Sequence, residues 1–206
     1  MGFRQELQKQ RWDDHRFYHH SRINQSLHLF SACCFLMTYM LVFVSPIAAA
    51  FTGWILAMVS RQVGHFFFEP KGFDEANKVS HEHKEAIKVG YNLNRKVVLL
   101  SLWALTPVFL LWQPSSFGLF QPHQSQHEFL HNLSLLWIYL GLGAIIFRTL
   151  QLFFQDGLLT GVAWFTKIAT DPFHDIKLYH KAPIQVLRGN LYDPIVTAEG
   201  EEAEAR

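Results

Sequence analysis

The chain has two cysteines, Cys33 and Cys34, adjacent to one another inside an apolar run. Neighbouring thiols cannot form the separated pairs of a disulfide framework or the spaced sets of an iron–sulfur or zinc-ribbon site. They read as small buried hydrophobes and leave the redox compartment open. Charge is also scarce: Asp, Glu, Lys and Arg make up 17% of the 206 residues, against about 25% in ordinary globular domains. With a formal net charge of +1 there is no basic stripe for nucleic acid, which is excluded as an expected partner. Gly-rich phosphate loops, Gly-x-Ser-x-Gly elbows and the His-x-x-His-His boxes of di-iron membrane desaturases are missing too. No Pro/Gly/Ser linker divides the sequence, so one domain over 1–206 is expected. Residues 2–22 are polar and charged, which leaves no room there for a signal-peptide core, so membrane insertion falls to internal runs.

Hydrophobic residues are half of the chain, with nineteen Phe and six Trp. The run 27–44 carries no charge and is close to the roughly 20 residues of a spanning helix. Ser45-Pro46 ends it, and a second run over 46–66 carries His65 to the membrane surface with Arg61 snorkelling beside it. A soluble loop over 69–96 follows, with helical spacing near 82–89. The third span, 97–113, contains Pro107, and the fourth, 133–155, is interrupted only by Arg148 and Gln151. The stretch 157–168 is apolar but too short to cross, which suggests an interfacial helix, and the tail 171–206 reads as soluble with a disordered acidic end over 199–204. The expected fold is all-α: a polytopic membrane helical bundle of about four transmembrane helices plus an interfacial one. Lys and Arg are absent from 113–132 and frequent elsewhere, so both termini are expected in the cytoplasm.

Twelve histidines are distributed unevenly over this topology. Nine of them, with Glu69, fall on the cytoplasmic side, and His123, His127 and His131 fall on the other. Ionisable groups beside a bilayer are costly unless paired, coordinated or functional, and neutral imidazole is the commonest metal ligand. His65 and Glu69, four apart on a helix, share a face and could point at one ion or at each other. A helix beginning near Asn24 would bring His28 into the same layer. Three imidazoles and a carboxylate with open positions suit non-haem Fe(II) better than a closed zinc site.

The remaining candidates each have a plainer reading. His20 adjoins the first cluster. His81 and His83 would share a face only on a strand, and on a helix they are solvated. The segments Asp171-Pro172-Phe173-His174-Asp175 and Tyr179-His180 could cap the site from below, or form a turn with Asp171 as N-cap and Pro172 as first helical residue. His123, His127 and His131 recur every four residues, as a metal-binding stripe or an exposed amphipathic turn. Arg148 could receive the carboxylate or phosphate of a lipid, or snorkel to the surface.

Tyr18-His19, Asn24 and His28, followed by Gly64-His65 and Glu69, resemble the paired motifs of the 2-hydroxy fatty acid dioxygenase family of small polytopic membrane proteins. The resemblance covers about residues 18–70. It implies Fe(II)-dependent α-oxidation, in which a 2-hydroxy fatty-acyl chain and O2 give a chain one carbon shorter. It also implies His19, His28 and His65 as metal ligands, Glu69 as a ligand or outer base, and Asn24 as the group orienting a ligand or bound oxygen. Where family members carry Asn-Pro, this chain has Ser21-Arg22, and Pro70-Lys71-Gly72 replaces Arg-Pro-Ala after the glutamate. Two other classes fit the composition: a non-catalytic metal- or lipid-binding membrane scaffold, and a lipid hydrolase using Zn(II).

Overall fold

A computed structural model describes residues 2–69 and 71–193. The expected acidic disorder at 199–204 lies outside these residues. Helices dominate, in the order α1 Phe3–Tyr18, α2 Arg22–Leu41, α3 Pro46–Phe51, a π-helical segment Thr52–Met58, α4 Val59–Phe67, α5 His81–Ile87, α6 Leu93–Trp112, α7 Gln126–Gln155, α8 Leu158–Tyr179 and α9 Ala182–Leu187. Among the described residues, extended pairing is limited to two isolated bridges, Ser21 with Tyr192 and Asp74 with Val79.

Three helices are long and apolar enough to cross a membrane: the continuous rod Pro46–Phe67, then Leu93–Trp112 and Gln126–Gln155. The rod starts where the sequence dictates, with Pro46 in its first turn and the Ser45 hydroxyl accepting the Ala48 N–H. Its π-helical middle places Gly53 against Thr38 of α2 and turns Trp54 into the core. Trp54 stacks on Trp103 at 5.6 Å and donates its indole N–H to the Trp137 carbonyl at 2.8 Å. Pro107 sits inside α6 as expected. The outward sides of α6 and α7 expose Val98, Leu105, Val108, Ile146, Phe147 and Phe154, the pattern of surfaces that face lipid.

The run 27–44 behaves differently from expectation. Its helix, α2, begins at Arg22 and stops at Leu41, and 42–44 form a turn. The polar residues Asn24, Gln25, His28 and Ser31 make its buried stripe, so α2 spends its first turns on the protein interior. It is not among the three helices that qualify as spans.

α7 is also longer than expected, because Ser125 and Glu128 cap it seven residues before 133: Ser125 Oγ accepts the Glu128 N–H at 3.2 Å and Glu128 accepts the Gln124 N–H at 2.6 Å. The short interfacial helix and the capped start at Asp171 are replaced by a single 22-residue helix, α8. Proline removes one backbone donor and crowds the preceding turn. At Pro172 that loss is local, while Lys167, Asp171, Asp175 and Tyr179 form a buried stripe every fourth residue on both sides of it. The bend between α7 and α8 falls instead at Gly157, whose φ of 93° is open to glycine alone at little cost.

Candidate metal centre

The α2–rod hairpin brings the start of α2 beside the end of α4, so His28 and His65 meet at one depth. His19 reaches the same point from the three-residue connector between α1 and α2. That connector is pinned from several sides. Asn24 Nδ2 donates to the Tyr18 carbonyl at 2.8 Å and Gln25 Nε2 to the His19 carbonyl at 2.9 Å. The returning tail adds Arg22 N–H to the Leu191 carbonyl and Asp193 N–H to the His20 carbonyl. One nitrogen from each of His19, His28 and His65 lies within 4.8 Å of the others. Nε2 of His19 and Nε2 of His28 are 3.1 Å apart, close enough to share a first-row ion, whose bonds to imidazole are about 2.0–2.1 Å.

Two of the three rings are oriented from behind by hydrogen bonds. His19 Nδ1 donates to the Asp14 carbonyl at 2.9 Å, which leaves its Nε2 as the lone-pair nitrogen. His65 Nδ1 is 2.6 Å from Glu69 Oε2, the carboxylate–histidine arrangement that fixes the tautomer and strengthens a ligating imidazole. His28 Nδ1 has no hydrogen-bond partner and stands 3.9 Å from Asp175 Oδ2, which Arg61 also contacts at 3.3 Å. Burial pushes the His19 imidazole well below its ordinary value, with His28 adding to the effect, so it is held neutral, the form a metal needs. The donor set fits a borderline divalent metal, and the unpartnered nitrogen of buried His28 fits a ligand that turns its N–H toward Asp175.

Glu69 therefore serves as the partner of His65; the three-residue cluster does not include it as a ligand. Burial raises its carboxyl above the ordinary range, while Lys88 and Lys96 pull it down. Asn24 donates from Nδ2 to the Tyr18 carbonyl and so holds the connector that carries His19. Its Oδ1 has no partner and lies where a Cβ on Gly64 would stand, 2.1 Å away.

The other candidates are not brought to the triad. His20 turns to the Arg16 carbonyl and to Asp74, 3.5 Å away. His81 and His83 lie in α5, where helical spacing separates them, and His83 is exposed. His180 is exposed with Nδ1 on the Lys177 carbonyl, and His174 is half-buried on α8. Their neighbours do reach the centre: Asp175 backs His28, and the Tyr179 ring packs 5.7 Å from His19 and 6.4 Å from His28 while its hydroxyl meets His15 Nδ1 at 3.1 Å. Arg148 binds the Val89 carbonyl at 2.6 Å and the side chains of Gln151 and Gln155, so its donors are occupied by protein rather than offered to a lipid.

Sequence reasoning missed a motif on the opposite side. Residues 127–131 read His-Glu-Phe-Leu-His, the spacing zinc hydrolases place on a helix with the glutamate free as base. Here Glu128 caps the helix, His127 is exposed, and His123 precedes α7 and packs on Phe129 at 5.1 Å. No third metal-ligating side chain joins this pair among the described residues.

A cavity of about 450 Å³ opens beside the triad, lined by His65, Arg61, Lys88 and Lys96 at its polar end. Trp54, Met58, Leu99, Trp137 and Ile138 line its apolar length. Small-molecule pockets are typically of about this size. No family model, curated protein or solved structure matches the chain.

Proposed function

We propose that this protein is an integral membrane non-haem iron oxygenase acting on a fatty-acyl lipid. The specific reaction we favour is α-oxidation of a 2-hydroxy fatty acid with loss of one carbon. The observation that carries the reading is the junction of two features. Three imidazoles converge, His19 and His65 held from behind by hydrogen bonds and His28 fully buried near Asp175, and the cavity that includes His65 continues into an apolar chamber between the helices.

In this reading α2 joins the three long helices in the bilayer, and the polar end of the bundle, with both termini, faces the cytoplasm. His19, His28 and His65 hold Fe(II), and the bound iron supplies the activation of O2. The chain's own residues do the rest. Glu69 and the Asp14 carbonyl keep two rings in the ligating tautomer, and the apolar walls seat the acyl chain and exclude water. The motif residues shared with the 2-hydroxy fatty acid dioxygenase family favour iron over Zn(II).

The test is metal analysis and turnover of the purified full chain. Near-stoichiometric iron that is lost in His65→Ala is expected, together with an O2-dependent product one carbon shorter from a 2-hydroxy fatty acid. Zinc binding with O2-independent lipid hydrolysis would replace this reading by a hydrolase. Metal binding without any turnover would leave a scaffold.

A further inference from the structure

The polar end of the cavity is unusually rich in cations, and all but one of them are matched by acids. Arg61 pairs with Asp175 at 3.3 Å. Lys167 lies 3.0 Å from Asp14 and 2.6 Å from Asp171. Lys88 is 3.5 Å from Glu85 and 3.8 Å from Glu69, and its ammonium also sits 3.4 Å above the Tyr18 ring. Lys96, at the end of the first turn of α6, lines the same cavity and makes no ion pair or side-chain hydrogen bond among the described residues. One turn further along α6, Leu99 already belongs to the apolar wall. Glu69 acts on this ammonium only from beyond ion-pair contact, and an ammonium with no acid in contact at the edge of an apolar chamber is costly, a cost that a bound anion lowers.

We propose that Lys96 is the receptor for the anionic head of a single-chain amphiphile whose tail fills the apolar chamber. This rests on the lipid-oxygenase reading of the same site and adds the orientation of the substrate. With the head on Lys96, the carbons next to it lie at the end of the cavity that includes His65, and the distal chain runs toward Trp54 and Trp137. Lys88 shapes the rim while remaining engaged with Glu69 and Glu85, so the discrimination between a charged and a neutral head falls to Lys96. A carboxylate and a phosphate monoester both supply the required chemistry.

The experiment is competition for a fluorescent fatty acid bound to the full chain in detergent. The competitors are a 2-hydroxy fatty acid, its methyl ester, and an alkyl phosphate of the same length. Wild type is expected to prefer an anionic competitor to the ester by about tenfold or more, the size of one charge-assisted hydrogen bond. Lys96→Met should lose that preference and Lys96→Arg should keep it. Lys78→Ala, at an exposed lysine, should match wild type, and equal metal content across the variants certifies the fold. An undiminished preference in Lys96→Met, or ester binding as tight as acid in wild type, overturns the proposal. Loss of preference in Lys96→Met alongside a wild type that makes no shortened product supports the receptor and removes the oxygenase reading instead.

Discussion

Gly64 on α4 lies so close to Asn24 on α2 that a Cβ at position 64 would stand 2.1 Å from Asn24 Oδ1. The next residue on α4 is His65, and four residues after Asn24 comes His28, so this contact sets the spacing of two of the three imidazoles. Asn24 is fully buried and its Nδ2 is tied to the Tyr18 carbonyl, so it cannot simply swing away. Gly64→Ala must therefore break that bond or part the helices. The expected cost is about 1–3 kcal/mol, the usual price of overpacking, with reduced metal uptake. Thermal unfolding in detergent and metal analysis check this; a variant with wild-type midpoint and metal content would show that the crossing is loose.

Glu69→Gln tests the bracing of His65 directly. The carboxylate receives the His65 Nδ1–H at 2.6 Å, and the neutral amide keeps an acceptor but loses the charge. Loss of a partner behind a ligating histidine typically weakens metal binding by about 10–100-fold. Titration with Fe(II) under anaerobic conditions should show a shift in that range, whereas His28→Ala should abolish stoichiometric binding. An unchanged affinity in Glu69→Gln would mean that His65 is oriented by packing alone.

The three imidazoles were legible in the sequence because their spacing follows local rules. His65 and Glu69 are four residues apart, and they stay in contact although α4 ends at Phe67 and leaves Glu69 beyond the helix, while His19 and His28 flank a helix start at Ser21. The outer supports were legible in part: the segments of Asp175 and Tyr179 are expected to cap the site, though through the histidines His174 and His180 rather than these neighbours, while Asp14 acts through a backbone carbonyl that carries no sequence signal. A signal for α8 did exist in the four-residue repeat of Lys167, Asp171, Asp175 and Tyr179. Asp171-Pro172 masked it, because the pair also reads as a helix start. The length of α2 misled for a related reason: apolar composition continues to Val44, but the turn over 42–44 uses its last three residues.

Protonation gives a further expectation. Burial pushes His15 below its ordinary value, and the same cause acts more strongly on His19. Both folded-state values are depressed, so between those values and about 6.5 the unfolded chain binds protons that the folded chain refuses. Stability from these two residues is therefore complete above about pH 6.5 and falls as pH drops through the window below it, by about 1.4 kcal/mol per pH unit for each proton. The midpoint of thermal unfolding of the metal-free protein should fall between about pH 7 and pH 5. A midpoint that rises on acidification would mean that these imidazoles are charged in the folded protein.

Lys167→Met probes the support behind His19. The ammonium lies between the Asp14 carboxylate at 3.0 Å and the Asp171 carboxylate at 2.6 Å, and both acids are tied into the α1–α8 contact. Burial opposes the charge on Lys167, but Asp14 and Asp171 together raise its value well above that of a free lysine. Removing one partner of a buried ion pair costs about 3–5 kcal/mol, because the acids left behind are desolvated without compensation. The same loss unties from α8 the end of α1 that presents the Asp14 carbonyl to His19 Nδ1, so metal affinity should fall along with stability. Replacing Asp171 by Leu in the same chain removes the acid nearest to the missing ammonium and should restore part of the stability. Recovery of stability without recovery of metal affinity would show that Asp14 needs Lys167 to present its carbonyl to His19. A single variant as stable as wild type would show that this triad of charges contributes nothing net to the α1–α8 packing.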